Sequence, residues 1–248
     1  MSININRVDQ ASFIDFVSRL KAIDSFLYFK LQNGNIKSVV YLPQRDAVKY
    51  HSQPIDQIFN ISEGLPNKEI KVAFFDCNKV LDAIKLFGSD QIQAELNLSE
   101  NEEDFVATSL RLFNDELEIT LACSEPSLGF KDLTESQVEG IFSRESSDFN
   151  FTLDTFTLGK IKSMFALDTE ETFEFIATGE NVKTKGKTYN YTATSGFNGQ
   201  GGHAIVYKKY LGLLDKEEQE VFVSGNKVVF KSNDSNTLLT IATCQTAE

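Results

Sequence analysis

The feature that most constrains the fold of this chain is a helical pattern that occurs four times. Each time, apolar residues spaced at i, i+3, i+4 and i+7 share one side of a helix, and two basic residues lie off that side. The first helix is predicted over residues 9–23 and the second over residues 77–87. The four apolar faces are Phe13, Phe16, Val17 and Leu20; Cys77, Val80, Leu81 and Ile84; Leu158, Ile161, Met164 and Phe165; and Tyr207, Tyr210, Leu211 and Leu214.

The basic residues of these helices contrast with the acidity of the whole chain, whose net charge is −12 at pH 7. One such stretch is typical of a solvated helix face, but its recurrence indicates a shared basic surface. The acidic balance excludes a protein that binds nucleic acid with its whole surface, because phosphate neutralisation requires Lys and Arg in excess at the contact. A local basic lining is still compatible with this charge.

Composition indicates a folded protein with one large domain or two domains of ordinary size. The 248 residues are 41% hydrophobic and include 21 Phe, which is enough for a substantial core. No apolar run approaches the roughly 20 residues that cross a bilayer, and the first residues do not resemble a signal peptide. We therefore expect a cytoplasmic protein, in the host cytoplasm if it is viral. The three cysteines are widely spaced, which predicts reduced thiols that pack in the fold.

Extended segments joined by turn residues follow each predicted helix. Asn33-Gly34 separates two of them and is typical of a type I′ hairpin. The repeated order of strand, helix and hairpin-linked strands predicts an α+β fold. A polar stretch, residues 124–147, separates two similar halves and is longer than the usual connection of about 4 to 6 residues, which indicates a linker or a functional loop. Residues 133–142 within it are compatible with a short helix.

The residue types that catalysis or metal binding requires are sparse. Neither His51 nor His203 has the spacing of a metal-binding motif, and we interpret both as ordinary surface or packed side chains. The glycine-rich loop of residues 195–202 lacks the Gly-Lys-Ser/Thr ending of a P-loop, so we interpret it as a mobile surface loop. We expect no catalytic residue, no metal site and no cofactor.

One segment resembles a known family. Residues 71–84, Lys-Val-Ala-Phe-Phe-Asp-Cys-Asn-Lys-Val-Leu-Asp-Ala-Ile, resemble the strand, Asp-x-Asn and apolar helix of the DNA polymerase sliding clamps. The resemblance is to the trimeric clamps of tailed phages and, more distantly, to proliferating cell nuclear antigen. It implies the DNA-clamp fold, with two similar domains of two strand-helix-strands units each, helices on the inner face and antiparallel sheets outside. The implied N-terminal domain covers residues 1–123, the connector 124–147 and the C-terminal domain 148–248.

The resemblance also implies a function. Such a chain would be a non-catalytic processivity factor that encircles double-stranded DNA as a homotrimeric ring, is loaded by a clamp loader and tethers the replicative DNA polymerase. Non-specific phosphate contacts would hold the duplex centrally and permit sliding. The candidate DNA-facing residues are Arg19, Lys21, Lys79, Lys85, Lys160, Lys162, Lys208 and Lys209. The fourth helix, which contains Gly212, is the least regular of the repeats.

The family also binds apolar peptide tails of the polymerase and clamp loader in a pocket beneath the connector. The candidates carried onto this chain are Val39, Tyr41, Leu128, Phe130 and Ile241. An alternative for Val39 and Ile241 is that both are simply strand core. Two other functions stay open at this point: a non-catalytic β-rich viral structural or assembly protein, and an enzyme of a type that the residues do not identify.

Overall fold

The computed structural model describes residues 1–61, 64–128, 133–233 and 236–244. Phe130, one of the peptide-pocket candidates, lies outside these ranges. The chain divides into two compact units. Unit 1 comprises Met1–Val40 and Tyr50–Leu133, and unit 2 comprises Tyr41–Lys49 and Thr134–Glu248. Among the described residues, no helix is long and apolar enough to span a membrane.

Unit 1 contains one large, mainly antiparallel sheet. Its strands follow the order β4-β3-β2-β6-β8-β7-β1-β5, with β9 paired to β8. The β2–β3 hairpin turns at Asn33 and Gly34, whose φ angles of 51° and 74° are both positive, which confirms the predicted hairpin. The strands are β1 Ser2–Val8, β2 Leu27–Gln32, β3 Asn35–Tyr41, β4 Ala47–Pro54, β5 Phe59–Ile61, β6 Ile70–Phe74, β7 Ile92–Glu100, β8 Phe105–Phe113 and β9 Glu118–Ala122.

Two helices cover the core of unit 1, α1 (Gln10–Lys21) and α2 (Cys77–Lys85). Each begins after an aspartate whose side chain accepts a hydrogen bond from the first turn, Asp9 in α1 and Asp76 in α2. The apolar faces predicted for both helices are fully buried, which confirms these two predictions. The ring of Phe16 meets that of Phe29 on β2 edge to face at 5.8 Å. Each such buried side chain contributes about 1.5–3 kcal/mol by leaving water.

Unit 2 contains two sheet segments. One follows the order β14-β10-β16-β17-β18 and the other the order β13-β12-β11-β15. The segment Tyr41–Lys49 joins this unit, where the amide of Ala242 donates to the carbonyl of Asp46 over 2.8 Å. The strands are β10 Phe149–Leu153, β11 Thr172–Thr178, β12 Asn181–Lys185, β13 Asn190–Ser195, β14 Asn198–Gly199, β15 Gly202–Tyr207, β16 Gln219–Val223, β17 Lys227–Ser232 and β18 Thr237–Ala242.

The connector contains the short helix that its sequence allowed, α3 (Glu135–Phe142). Thr134 and Gln137 form a reciprocal capping box at its start. At its other end, the ammonium of Lys227 donates to the carbonyls of Gly140 and Ile141, each over 3.0 Å. These bonds satisfy terminal carbonyls that have no partner inside the helix.

The third predicted helix is an α-helix in the structure, whereas the fourth is not. The third is α4 (Thr155–Phe165), in which Leu158 and Ile161 are buried while Met164 and Phe165 are half-buried. The fourth is a 3₁₀ helix over Lys208–Leu213, so the prediction of an α-helix there was wrong. Tyr207 does not belong to its buried face, because this residue ends β15 opposite Thr172 and is 37% exposed. The side chains of Tyr210, Leu211 and Leu214 are buried as predicted.

Candidate nucleic-acid interface

The two helices of unit 1 bring basic residues from separate parts of the sequence onto one surface. Helix α1 packs against α2, and the amide of Cys77 donates to the carbonyl of Ser25 over 2.7 Å. The pKa of Asp76 is lowered mainly by the hydrogen bonds from Asn78 and further by the charges of Lys79 and Lys21. Because α1 packs against α2 and both lysines are exposed, the end of α1 and the start of α2 form a common basic surface.

The four basic candidates of unit 1 differ in how available their charges are. Lys21 and Lys79 are exposed, and neither forms an ion pair with any residue that the structure describes. Lys85 is 61% exposed and lies 3.6 Å from Asp82, a pair that water screens strongly. The Arg19 side chain is only 16% exposed and contacts Asp15 at 2.7 Å. Lys21, Lys79 and Lys85 are therefore better placed than Arg19 to meet a polyanion.

Lys37 lies on the face of the unit 1 sheet that is turned away from the helices, and it can serve as a control for the helix lysines. On β2, Phe29 faces α1, so the next residue, Lys30, points to the other side of the sheet. Lys37 of β3 is the direct partner of Lys30 in the hairpin and shares that side. Its charge therefore lies on the sheet face that the helices do not cover.

The two basic candidates on α4 occupy different environments. Lys160 is exposed, and its ammonium lies over the ring of Phe156 at 4.4 Å and over that of Tyr191 at 5.8 Å. Lys162 is half-buried, and its pKa is lowered first by burial and then by the charge of Lys216. A half-buried ammonium is less accessible to phosphate than an exposed one, so Lys160 is the stronger candidate of the two.

The two lysines of the 3₁₀ helix in unit 2 lie in different environments. The Lys208 side chain is 9% exposed, and its ammonium lies 3.5 Å from a carboxylate oxygen of the fully buried Asp168 side chain. Lys208 is therefore engaged inside the unit, and we remove it from the candidates for DNA contact. Lys209 is exposed, with its ammonium over the rings of Tyr207 and Tyr210 at 5.2 and 4.8 Å.

Three polar contacts join this 3₁₀ helix and the residues just after it to the segment Tyr41–Lys49 of the same unit. The hydroxyl of Tyr210 donates to a carboxylate oxygen of Asp46. The ammonium of Lys49, whose side chain is 1% exposed, contacts the carboxylate of Asp215 at 2.8 Å and donates to the carbonyl of Leu213 over 3.0 Å. A buried charge needs such partners, because desolvation would otherwise cost several kcal/mol.

An apolar groove along the solvent side of α4 was not among the sequence-based expectations. It is an open groove with a volume of about 670 Å³, and its lining includes Phe156, Leu167 and Tyr191. The Phe156 and Leu167 side chains are 69% and 73% exposed. A signal for it was present, because Phe156, Gly159, Lys160, Ser163, Met164 and Leu167 recur at helical spacing and mark a second face of α4.

The candidate residues for the peptide pocket differ in their exposure to solvent. Val39 and Tyr41 are half-buried, and Leu128 is 77% exposed. Ile241 is fully buried in β18 and offers no surface to a ligand, so the alternative interpretation as strand core describes it better. Leu128 is the candidate best placed to contact another molecule.

The two histidines occupy opposite environments. His51 is 2% exposed and packs its ring 5.3 Å from that of Phe16, whereas His203 is exposed on β15. Within the described ranges, no group of three or more His, Cys, Asp or Glu residues is arranged to hold a metal ion.

Comparison with solved structures identifies the fold. The PCNA of A. fulgidus, in a structure with the C-terminal region of FEN-1 bound, matches with a TM-score of 0.68 at 14% identity, over 99% of this chain and 100% of that chain. The PCNA of Entamoeba histolytica matches with a TM-score of 0.68 at 14% identity, over 98% of each chain. The β chain of DNA polymerase III from Streptococcus pneumoniae matches with a TM-score of 0.67 at 14% identity, over 100% of this chain and 66% of that chain.

These matches confirm the predicted α+β sliding-clamp fold along nearly the whole chain. At this level of identity they establish the fold and leave the roles of individual residues to the geometry of this chain. No family model matches the sequence, and no curated protein sequence matches it.

Proposed function

We propose that this chain is a sliding clamp, a processivity factor that encircles double-stranded DNA and tethers a replicative DNA polymerase. The fold shared with PCNA and with the DNA polymerase III β chain supports this proposal. The observation that carries it is the pair Lys21 and Lys79, exposed lysines at the end of α1 and the start of α2, two helices that pack against each other. A basic surface of this kind suits a duplex that carries about one negative charge per 1.7 Å of its axis.

The proposed DNA contact is electrostatic and independent of base sequence. The exposed lysines of the helices supply it: Lys21, Lys79 and Lys85 in unit 1, and Lys160 and Lys209 in unit 2. Phosphate contacts position a protein on the duplex without reading its sequence, which permits sliding. The half-buried Arg19 and Lys162 are secondary candidates, and Lys208 has a structural role.

Retention on DNA would come from topology, through a closed ring of three copies. We propose residues 1–123 and 148–248 as the two clamp domains and residues 124–147 as their connector, of which α3 groups with unit 2. A ring that is held on DNA by its closure needs only weak contacts with phosphate. The net charge of −12 is compatible with such weak contact and would attract basic partner surfaces.

The partners of this clamp would be a clamp loader and a replicative polymerase, of phage type if the chain is viral. Their apolar tails would dock near the connector, where Leu128 is exposed. Val39 and Tyr41, both half-buried, stay candidates. Phe130 stays a candidate on sequence alone. No catalytic step belongs to this function.

The decisive test is retention on DNA of defined topology. The protein is loaded by its loader onto a nicked circular plasmid, free loader is removed, and half of the sample is linearised with a restriction enzyme. We expect the protein to stay on the circle and to leave the linear molecule through its ends. Blocking both ends with bulky protein adducts should restore retention. Equal retention on circular and open linear DNA would contradict the proposal, because it would indicate affinity in place of encirclement.

A further inference from the structure

Three strands of unit 2, β16, β17 and β18, have a face that is turned away from the core, which we call the back face. On β17, Phe230 faces the core, where its ring lies 6.3 Å from that of Phe175 on β11. Its neighbour Val229 therefore points to the back face. Val229 is opposite Phe222 on β16 and Thr240 on β18, so these three residues form a row across that face. Val229 is nevertheless only 1% exposed, so another part of the chain must cover the row.

The cover is helix α3 together with the residues that follow it. Helix α3 contacts β18, and the hydroxyl of Thr240 donates to the carbonyl of Ile141 over 3.2 Å. Lys227, at the start of β17, donates to two carbonyls at the end of the helix, including that of Ile141. Just after α3, the guanidinium of Arg144 lies over the ring of Phe222 at 5.4 Å. These contacts hold α3 against the back face.

Helix α3 has the properties of a cover that opens easily. It has eight residues, and isolated helices shorter than about 12 to 15 residues are marginal in water. It also contains Gly140, which disfavours the helical state. In α3 only Phe142 is buried, and the other side chains are exposed or half-buried. A segment with so few buried contacts can open locally while the sheet beneath it stays folded.

The charges of the back face are not matched by α3. Lys227 and Arg144 form no ion pair with any residue in the described ranges, and the two helix partners of Lys227 are neutral carbonyls. Lys227 is half-buried, and burial lowers its pKa. Hydrogen bonds between an ammonium and a carboxylate are shorter and stronger than those to a neutral acceptor. The back face is therefore better suited to an acidic segment than to the helix that covers it.

We propose that the back face is a binding surface for a protein partner, that α3 occupies it in the free chain, and that an acidic segment with an aromatic residue displaces α3. The aromatic side chain would take the place of Phe142, and a carboxylate would pair with Lys227. Because α3 must leave first, the apparent affinity is reduced by the fraction of chains in which the face is open. This inference goes beyond the proposed function, since it requires neither DNA nor a ring.

A peptide with the sequence of α3 tests the surface directly. The probe comprises residues 134–142 with fluorescein at its N-terminus and a free C-terminal carboxylate, and its binding to the full chain is measured by fluorescence anisotropy. Phe142→Ser in the chain weakens its own cover, so this variant should bind the probe about tenfold or more tightly than the wild type. Adding Lys227→Met to that variant should abolish the gain, because the ammonium that holds the end of the probe is lost.

Lys231→Met provides the matched control. Lys231 is four residues after Lys227 on the same strand and the same face, and its ammonium pairs with Glu220 at 2.7 Å. Combined with Phe142→Ser, this substitution should leave the affinity for the probe unchanged. An equal loss of binding for Lys227→Met and Lys231→Met would show general attraction of the negatively charged probe and would overturn the proposed pairing.

A second form of the probe tests the charge of the partner. A C-terminal amide removes the carboxylate and should make the probe bind the Phe142→Ser chain about threefold or more weakly. Equal binding of the acid and amide forms would overturn the choice of an acidic partner.

Hydrogen exchange covers the case in which Phe142→Ser disturbs the fold. In the wild-type chain, the amides of residues 138–142 should exchange at least about tenfold faster than those of β17, because α3 opens without the sheet. Lys227→Met should accelerate exchange in α3 further and leave β10 and β16 unchanged. An α3 that exchanges as slowly as β17 in the wild type would overturn the inference, since it would not be a separate cover.

The binding outcomes are independent of the proposed function. Equal binding of the probe to the wild type and to Phe142→Ser would show that α3 does not close the back face. Absence of binding to both would show that the back face is not a binding surface, and either result would overturn the inference. Neither result bears on whether the protein is retained on circular DNA, which tests the clamp itself.

Discussion

The ammonium of Lys208 lies 3.5 Å from a carboxylate oxygen of Asp168, a side chain with no exposed surface. The same carboxylate accepts hydrogen bonds from the amide of Glu170 over 3.0 Å and from the amide of Lys187 over 2.7 Å. One acidic side chain thus joins the loop after α4, the β12–β13 turn and the 3₁₀ helix. Lys208 serves the packing of unit 2, which explains why a lysine of the basic repeat is withdrawn from solvent.

Asp168→Asn should destabilise the protein most strongly at neutral pH. The pKa of Asp168 is lowered, mainly by the Glu170 amide and further by the Lys187 amide and the charge of Lys208. The stability that this carboxylate contributes is therefore complete above the pKa of Asp in the unfolded chain, about 3.9. It is lost as the pH falls through the lower pKa of Asp168 in the folded chain. Urea unfolding at pH 7 and at about pH 3 should show a gap between wild type and variant that narrows in acid. An equal gap at both pH values would contradict this.

Lys21→Glu combined with Lys79→Glu should impair loading on DNA without unfolding the protein. Both side chains are exposed, so the free energy of unfolding should change by no more than about 0.5 kcal/mol per substitution. The amount of clamp loaded on nicked circular DNA should fall, with the largest deficit at low salt, where phosphate contacts are strongest. Lys37→Glu, on the opposite face of the sheet, is the control and should load normally. Normal loading of the double variant would remove this surface from the DNA contact.

Gly159→Ala should stabilise the folded chain. Alanine at a helical position is favoured over glycine by about 0.5–1 kcal/mol, and a methyl group at Gly159 meets no atom within 4 Å in the single chain. The thermal midpoint of the isolated chain should therefore rise. The added methyl group would protrude into the open groove, so it should cost nothing in packing. The midpoint is measured by circular dichroism, and a midpoint that stays the same or falls would contradict this expectation.

Tyr210→Phe should release the 3₁₀ helix from Asp46. The hydroxyl of Tyr210 donates to the Asp46 carboxylate, and its pKa is raised by burial and by this hydrogen bond. Loss of a hydrogen bond to a charged group costs about 1.5–3 kcal/mol of unfolding free energy. A double-mutant cycle with Asp46→Asn measures the coupling, which should exceed about 0.5 kcal/mol. Strict additivity of the two substitutions would show that the contact contributes nothing.

Leu128→Asp and Ile241→Ala should separate partner binding from packing. Leu128 is 77% exposed, so its substitution should leave stability unchanged and weaken binding of a C-terminal peptide from the cognate polymerase, measured by fluorescence anisotropy. Ile241 is fully buried, and its truncation should cost about 2–5 kcal/mol through transfer and cavity terms. Unchanged peptide affinity of Leu128→Asp would place the peptide site elsewhere.

The helices of unit 1 could be predicted from the sequence because a single local signal determines each of them. The faces around Phe16 and Val80 have an unbroken helical period and follow a capping aspartate. The fourth helix could not be predicted in this way, because Tyr207 belongs to strand β15 through its pairing with Thr172, a residue far away in sequence. Helical spacing alone does not report such a tertiary partner.

The availability of a candidate lysine could be predicted only where its exposure follows from its position on an amphipathic helix. Lys21 and Lys79 are exposed as their helix positions require, whereas Lys208 is withdrawn by Asp168, and Lys162 by burial. The groove was not predicted because Phe156 belongs to a second apolar face of α4. Helix α4 has two apolar faces, and helical spacing does not tell which of them packs in the core.

The exposure of Leu128 has a consequence for the direction of an assembled ring. Joined head to tail, the copies are related by rotation about one axis only, and no two-fold axis exchanges the two sides of the ring. Its front and back therefore present different chemistry to whatever approaches along the duplex. An enzyme that docks near Leu128 would meet every copy from the same side, so the clamp would travel behind it in one orientation.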